Sequence, residues 1–85
     1  MSTLKELLHT LVTALVDDPS RVQIVETDGE RRVMLELKVA RDDVGKVIGR
    51  RGRTAAALRT ILSAAAAKQG KRALLDIIDS DSAAS

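Results

Sequence analysis

Gly45-Lys46-Val47-Ile48-Gly49-Arg50-Arg51-Gly52 is the stretch on which the reading of this chain turns. Two aliphatic residues run into a Gly-x-x-Gly turn whose middle pair is Arg-Arg, and a third arginine, Arg53, follows at once. Glycine at both ends of so short a turn permits a sharp bend and leaves no Cβ to hold a visitor away from the backbone. Two cations between the glycines point to a visitor that carries phosphate. Lys46 before the turn, with Arg53 and Arg59 after it, extends the patch.

Working outward, both flanks read as helix. Arg41-Asp42-Asp43 opens a short helix that runs through Ile48 and stops at Gly49, its carboxylates placed where a helix N-terminus favours negative charge. Beyond the turn, an Ala-rich helix spans residues 53–69 and ends at Gly70, a helix-terminating glycine. Upstream, residues 32–39 alternate cleanly, with Val33, Leu35, Leu37 and Val39 on one face of a half-buried strand. Residues 21–26 form a second strand rich in β-branched side chains, joined to it across an Asp28-Gly29 hairpin turn. The N-terminal segment begins at Thr3 with the spacing of a capping box, Thr3-Leu4-Lys5-Glu6, and carries the stripe Leu4, Leu7, Leu8, Leu11, Val12, Leu15 and Val16 until Asp17-Asp18-Pro19-Ser20 ends it. Residues 71–79 make a third strand, and residues 80–85 read as a disordered polar tail. The order α-β-β-α-α-β predicts an α+β fold, a three-stranded sheet with the helices packed on one face, as a single domain over residues 1–79.

Composition narrows the chemistry. A chain of 85 residues makes one small domain with a modest core. There is no cysteine to staple the fold or bind metal, and His9, the single histidine, has no identifiable partner for catalysis. Asp42-Asp43 as a metal pair is the weaker reading beside their place at a helix start. No apolar run approaches the ~20 residues of a membrane span, and the first helix, poor in basic residues, reads as docked on its own sheet. The net charge of +2 is mild, but residues 44–59 hold five basic side chains and no acidic one. A local basic patch on a near-neutral chain favours a defined anionic ligand over general stickiness to polyanions. Phe, Tyr and Trp are absent altogether, which excludes recognition built on aromatic stacking. Two other phosphate motifs do not fit: no Lys-Ser/Thr follows either glycine as a P-loop requires, and Gly45, Gly49 and Gly52 lack dinucleotide-fold spacing.

Taken together, Val47-Ile48-Gly49-Arg50-Arg51-Gly52 between two helices resembles the signature of a KH domain, and the element order resembles its type II arrangement. Nearly the whole chain is covered, and a lone KH module of this length is similar to the small bacterial KhpA family of RNA-binding proteins. The resemblance implies a cytoplasmic, non-catalytic binder of single-stranded RNA with no cofactor. It also implies a dimer, or pairing with a second KH protein, in post-transcriptional regulation or as an RNA chaperone. In such a module the turn from Gly49 to Gly52 clamps about four nucleotides. Arg50 and Arg51 meet phosphate oxygens, with Lys46, Arg53 and Arg59 around them. Val44, Val47 and Ile48 are candidates for the apolar floor under the bases, some of them core instead. One departure is Ala55, where many KH motifs carry a large aliphatic residue three positions after the second glycine.

The long helix carries a second signal. Ala55, Leu58, Leu62, Ala65 and Ala66 share the face toward the sheet, while Ala56, Thr60, Ser63, Ala64 and Ala67, with Ala57 and Ile61 at the edge, form an outer face without a charge. In a chain that is 31% charged, such a face reads as a protein interface that lets another helix approach closely. The plainer alternative is alanine used only as a strong helix former. The competing functional class is therefore an interaction adaptor on a KH scaffold, with nucleic-acid binding secondary.

Overall fold

The computed structural model of the protein describes residues 3–81. Helix α1 (Thr3–Thr13) is followed by the hairpin of β1 (Gln23–Asp28) and β2 (Arg32–Val39), then α2 (Val44–Ile48), α3 (Arg53–Ala67) and β3 (Arg72–Asp79). Single 3-10 turns at Pro19–Arg21, Arg41–Asp43 and Arg50–Gly52 link these elements. The sheet is mixed, in the order β1-β2-β3: β1 pairs antiparallel with β2, and β2 pairs parallel with β3. A hairpin turn suffices for the first pairing, but parallel strands need a long crossover, and α2 and α3 supply it. The expected α+β architecture and element order are what the structure shows.

Strand β2 is the keel of the core. Val33, Leu35, Leu37 and Val39 are all essentially inaccessible, each at the position the alternation predicts. They pack under Leu4, Leu8 and Val12 of α1, Val47 of α2 and Leu58, Leu62 and Ala66 of α3. Truncating one of the leucines to alanine in such a core costs about 2–5 kcal/mol. Ala55 is buried as well, so α3 sits close at the position where a larger side chain was expected. On β1 the inward series Ile24–Glu26 ends in a carboxylate opposite Leu35, and Glu26 Oε1 is buried without a partner among the described residues.

Several boundaries differ from the sequence reading. Helix α1 stops at Thr13, and the chain tightens there through Leu15 and Val16 amides that both donate to Val12 O. Leu15 consequently leaves the apolar stripe and is 39% exposed, while Val16 swings into the core. Ser80 and Asp81, assigned to the tail by sequence, carry contacts: Arg21 Nη2 donates to Ser80 Oγ at 3.1 Å and Asp81 Oδ1 at 2.7 Å. The rest of the expected tail, residues 82–85, lies outside the described residues. No helix among the described residues is long and apolar enough to cross a membrane.

Candidate nucleic-acid interface

The turn is assembled from three left-handed residues in four. Helix α2 ends with the Gly49 amide donating to Gly45 O at 2.8 Å, and Gly49 then leaves the helix at φ 79°, ψ 171°. Arg51 sits at φ 57° and Gly52 at φ 73°, after which Arg53 enters α3. An L-residue at φ 57° is costly, by about 1–2 kcal/mol. The turn thus holds an arginine side chain outward on a backbone that favours glycine.

The two glycines are bare for different reasons. A Cβ on Gly49 would overlap Thr54 Oγ1 and lie 2.6 Å from Thr54 Cβ, so α3 itself occupies that space. A Cβ on Gly52 would meet no atom within 4 Å. Close packing within the chain requires the first glycine; the second faces open space.

The predicted cations fall into two groups. Arg50, Arg51 and Arg53 are exposed, and their guanidinium groups have no hydrogen-bond or ion-pair partner among the described residues, although the Arg53 amide donates to Arg50 O. The other two are engaged. Lys46 Nζ lies 2.6 Å from Asp17 Oδ2 and 3.6 Å from Asp43 Oδ1. Arg59 Nη2 donates to Leu75 O at 3.3 Å, across a cleft of about 440 Å³ lined also by Met34, Ser63, Ala73, Leu74 and Asp76. That cleft lies between α3 and the edge strand β3, with Arg59 as its one cation and Asp76 as its one acid among the described residues. Of the aliphatic candidates, Val47 is fully buried and supports the turn from behind, while Val44 and Ile48 are half-buried beside it.

Asp43 stands at the start of α2, where the sequence reading put it, and has a further role that the sequence did not show. Its side chain makes no capping bond to α2. It is 2% exposed and accepts the Asp17 amide at 3.1 Å and the Asp18 amide at 3.0 Å. These amides, the Asp17 one first, hold the Asp43 carboxyl below its ordinary pKa against the opposing effect of burial, with Lys46 adding to them. The hydrogen bond to Asp17 correspondingly raises the pKa of Lys46. Sequence spacing shows the Asp43–Lys46 relation as i, i+3, but no local signal brings in Asp17 from 29 residues away.

The outer face of α3 is where the sequence placed it. Ala56, Ala57, Thr60, Ile61, Ala64 and Ala67 are all exposed, Ile61 at 42%. Thr60 Oγ1 donates back to Ala56 O at 3.0 Å, so the proton of that hydroxyl is satisfied within the helix.

Comparison with known proteins shows the family. The family model described as KhpA/KhpB, KH domain, matches residues 5–77. The chain is similar to the RNA-binding protein KhpA of Clostridium acetobutylicum, 52% identical over 75 residues that cover 88% of this chain and 100% of the relative. It is also similar to the proteins of that name from Caldanaerobacter subterraneus, 49% identical over 73 residues (86% and 97% of the two chains), and Aquifex aeolicus, 46% over 79 residues (93% and 100%). No solved structure matches the chain significantly. With the matched region running from α1 into β3 across the Gly49–Gly52 turn, the chain belongs to the KhpA/KhpB KH-domain family.

Proposed function

We propose that this protein is a non-catalytic binder of single-stranded RNA that holds the sugar-phosphate backbone at the Gly49–Gly52 turn. The observation that carries the reading is the open space over Gly52 beside three exposed, unpaired arginines, Arg50, Arg51 and Arg53. Guanidinium groups offer bidentate donors to phosphate oxygens, and the bare backbone lets the strand come within their reach. The bases then lie toward the cleft between α3 and β3, against the aliphatic side chains of Met34, Leu74 and Leu75, in a chain with no aromatic ring to stack on. The KhpA relatives named as RNA-binding proteins support the choice of RNA as the polyanion. A cytoplasmic post-transcriptional or RNA-chaperone role is the biological setting that this reading favours.

The test is equilibrium binding of a labelled, unstructured RNA oligonucleotide. Three phosphates neutralised on a single strand give a log–log salt slope of about −2. Arg50→Asp with Arg51→Asp abolishes binding and leaves the helical circular dichroism unchanged. A folded double variant that still binds RNA at full strength would overturn the clamp.

One KH module engages few nucleotides, and pairing two on a fixed frame raises affinity through effective concentration. The charge-free outer face of α3 supports a helix-on-helix contact, with a second copy or with a related KH protein. Light scattering of wild type against Ile61→Glu checks it: a dimer mass that falls to the monomer value is expected, and equal monomer masses for both exclude the homodimer.

A further inference from the structure

One cation of the predicted patch is withheld by the chain's own acids. Asp43, buried under the loop after α1, takes both the Asp17 and Asp18 amides and so fixes that loop against α2. The Asp17 carboxylate is thereby delivered to Lys46 Nζ at 2.6 Å, although the two residues are 29 apart in sequence. Lys46 precedes Gly49 by three residues, which is about 5 Å along a helix axis. Its four-carbon stem is long enough to carry the ammonium from Asp17 to a phosphate next to those on the turn.

We infer that Asp17 is a brake on RNA binding: it occupies Lys46 in the free protein, and a phosphate oxygen must displace it before Lys46 can join the clamp. The inference rests on the reading of the turn as an RNA clamp. The exchange is feasible because the pair is open to solvent, with Asp17 79% and Lys46 44% exposed. Exposed pairs are worth a factor of about 1.4 to 5 in an equilibrium constant, so the contact lowers affinity without blocking the site. The neighbouring Asp18 is a built-in comparison. Its carboxylate accepts Ser20 Oγ at 2.6 Å and makes no contact with Lys46 among the described residues.

The experiment titrates the full chain with the same labelled RNA over a range of salt. Asp17→Asn keeps the backbone amide that Asp43 needs. It should bind about threefold more tightly than Asp18→Asn, which loses the same charge, with a salt slope steeper by about 0.7. Adding Lys46→Met to Asp17→Asn should cancel both gains. Asp17→Ala repeats the measurement should the asparagine variant fold poorly. An Asp17 variant no tighter than Asp18→Asn, or a gain that survives Lys46→Met, overturns the brake. The double arginine variant, run alongside, separates the failures. If it loses binding while Asp17→Asn gains nothing, only the brake is wrong; if it still binds at full strength, the clamp is wrong and the brake falls with it.

Discussion

Gly49 and Gly52 flank the same turn, yet substituting alanine at each should have very different consequences. At Gly49 the backbone lies at φ 79°, ψ 171°, a region essentially confined to glycine, and forcing alanine into it costs of order 1–3 kcal/mol. The added methyl also lands on Thr54, 2.6 Å from its Cβ and 2.9 Å from its backbone nitrogen, and overpacking of that kind adds about 1–3 kcal/mol. Together these come to about 4 kcal/mol. At Gly52, φ 73° and ψ 14° lie in the ordinary left-handed region and no atom is near, so the cost is about 1.5 kcal/mol. A domain of 85 residues holds roughly 4–13 kcal/mol in all, so the first change threatens the fold and the second does not.

Urea unfolding followed by far-ultraviolet circular dichroism is the appropriate assay, because the chain has no Trp or Tyr to report by fluorescence. With a slope near 1 kcal/mol/M, Gly52→Ala lowers the midpoint by about 1.5 M and Gly49→Ala by more than twice that. Thr54→Ala should recover about 1–2 kcal/mol of the Gly49→Ala loss by removing the overlapping hydroxyl, and cost little alone. Equal midpoint shifts for the two glycine variants would refute the distinction, and absence of coupling to Thr54→Ala would refute the share assigned to its hydroxyl. Folded Gly52→Ala carries a methyl in the space proposed for the strand, so it should bind RNA at least several-fold more weakly.

Two further outcomes follow from the same geometry. Arg51→Gly relieves a left-handed arginine, so it should raise stability by about 1 kcal/mol in urea unfolding while weakening RNA binding and reducing the salt slope by about 0.7. Asp43 has a folded-state pKa below the unfolded value of about 3.9, so its contribution is present above that pH and is lost as pH falls through the lower folded value. Melting temperatures from about pH 5 to pH 2 should drop more steeply for wild type than for Asp43→Asn, which is the less stable protein at neutral pH; parallel curves would show that the buried carboxylate does not anchor the loop.

What the sequence made legible, and what it did not, divides along the range of the forces involved. The alternation in Val33–Val39, the apolar stripe of α3 and the Gly-x-x-Gly turn are local patterns, and each appears in the structure where its periodicity put it. The parallel pairing of β3 with β2 is not written in either strand; it follows from the crossover through two helices, and β3 itself shows no clean alternation of burial. Leu15 left its stripe because the helix ended a turn early, a boundary set by the loop's attachment to Asp43 as much as by local propensity. That attachment also separates the cations. In sequence, Lys46 and Arg50 look like equal members of one basic run. In space, the loop that Asp43 pins gives Lys46 a carboxylate and leaves Arg50 open. Charge counted along a chain therefore overstates the charge a ligand meets, and it does so by the pairs that only tertiary structure forms. In the proposed clamp, the cations offered to a strand of RNA are therefore Arg50, Arg51 and Arg53, and the proposed brake assigns to Asp17 the control of the lysine beside them.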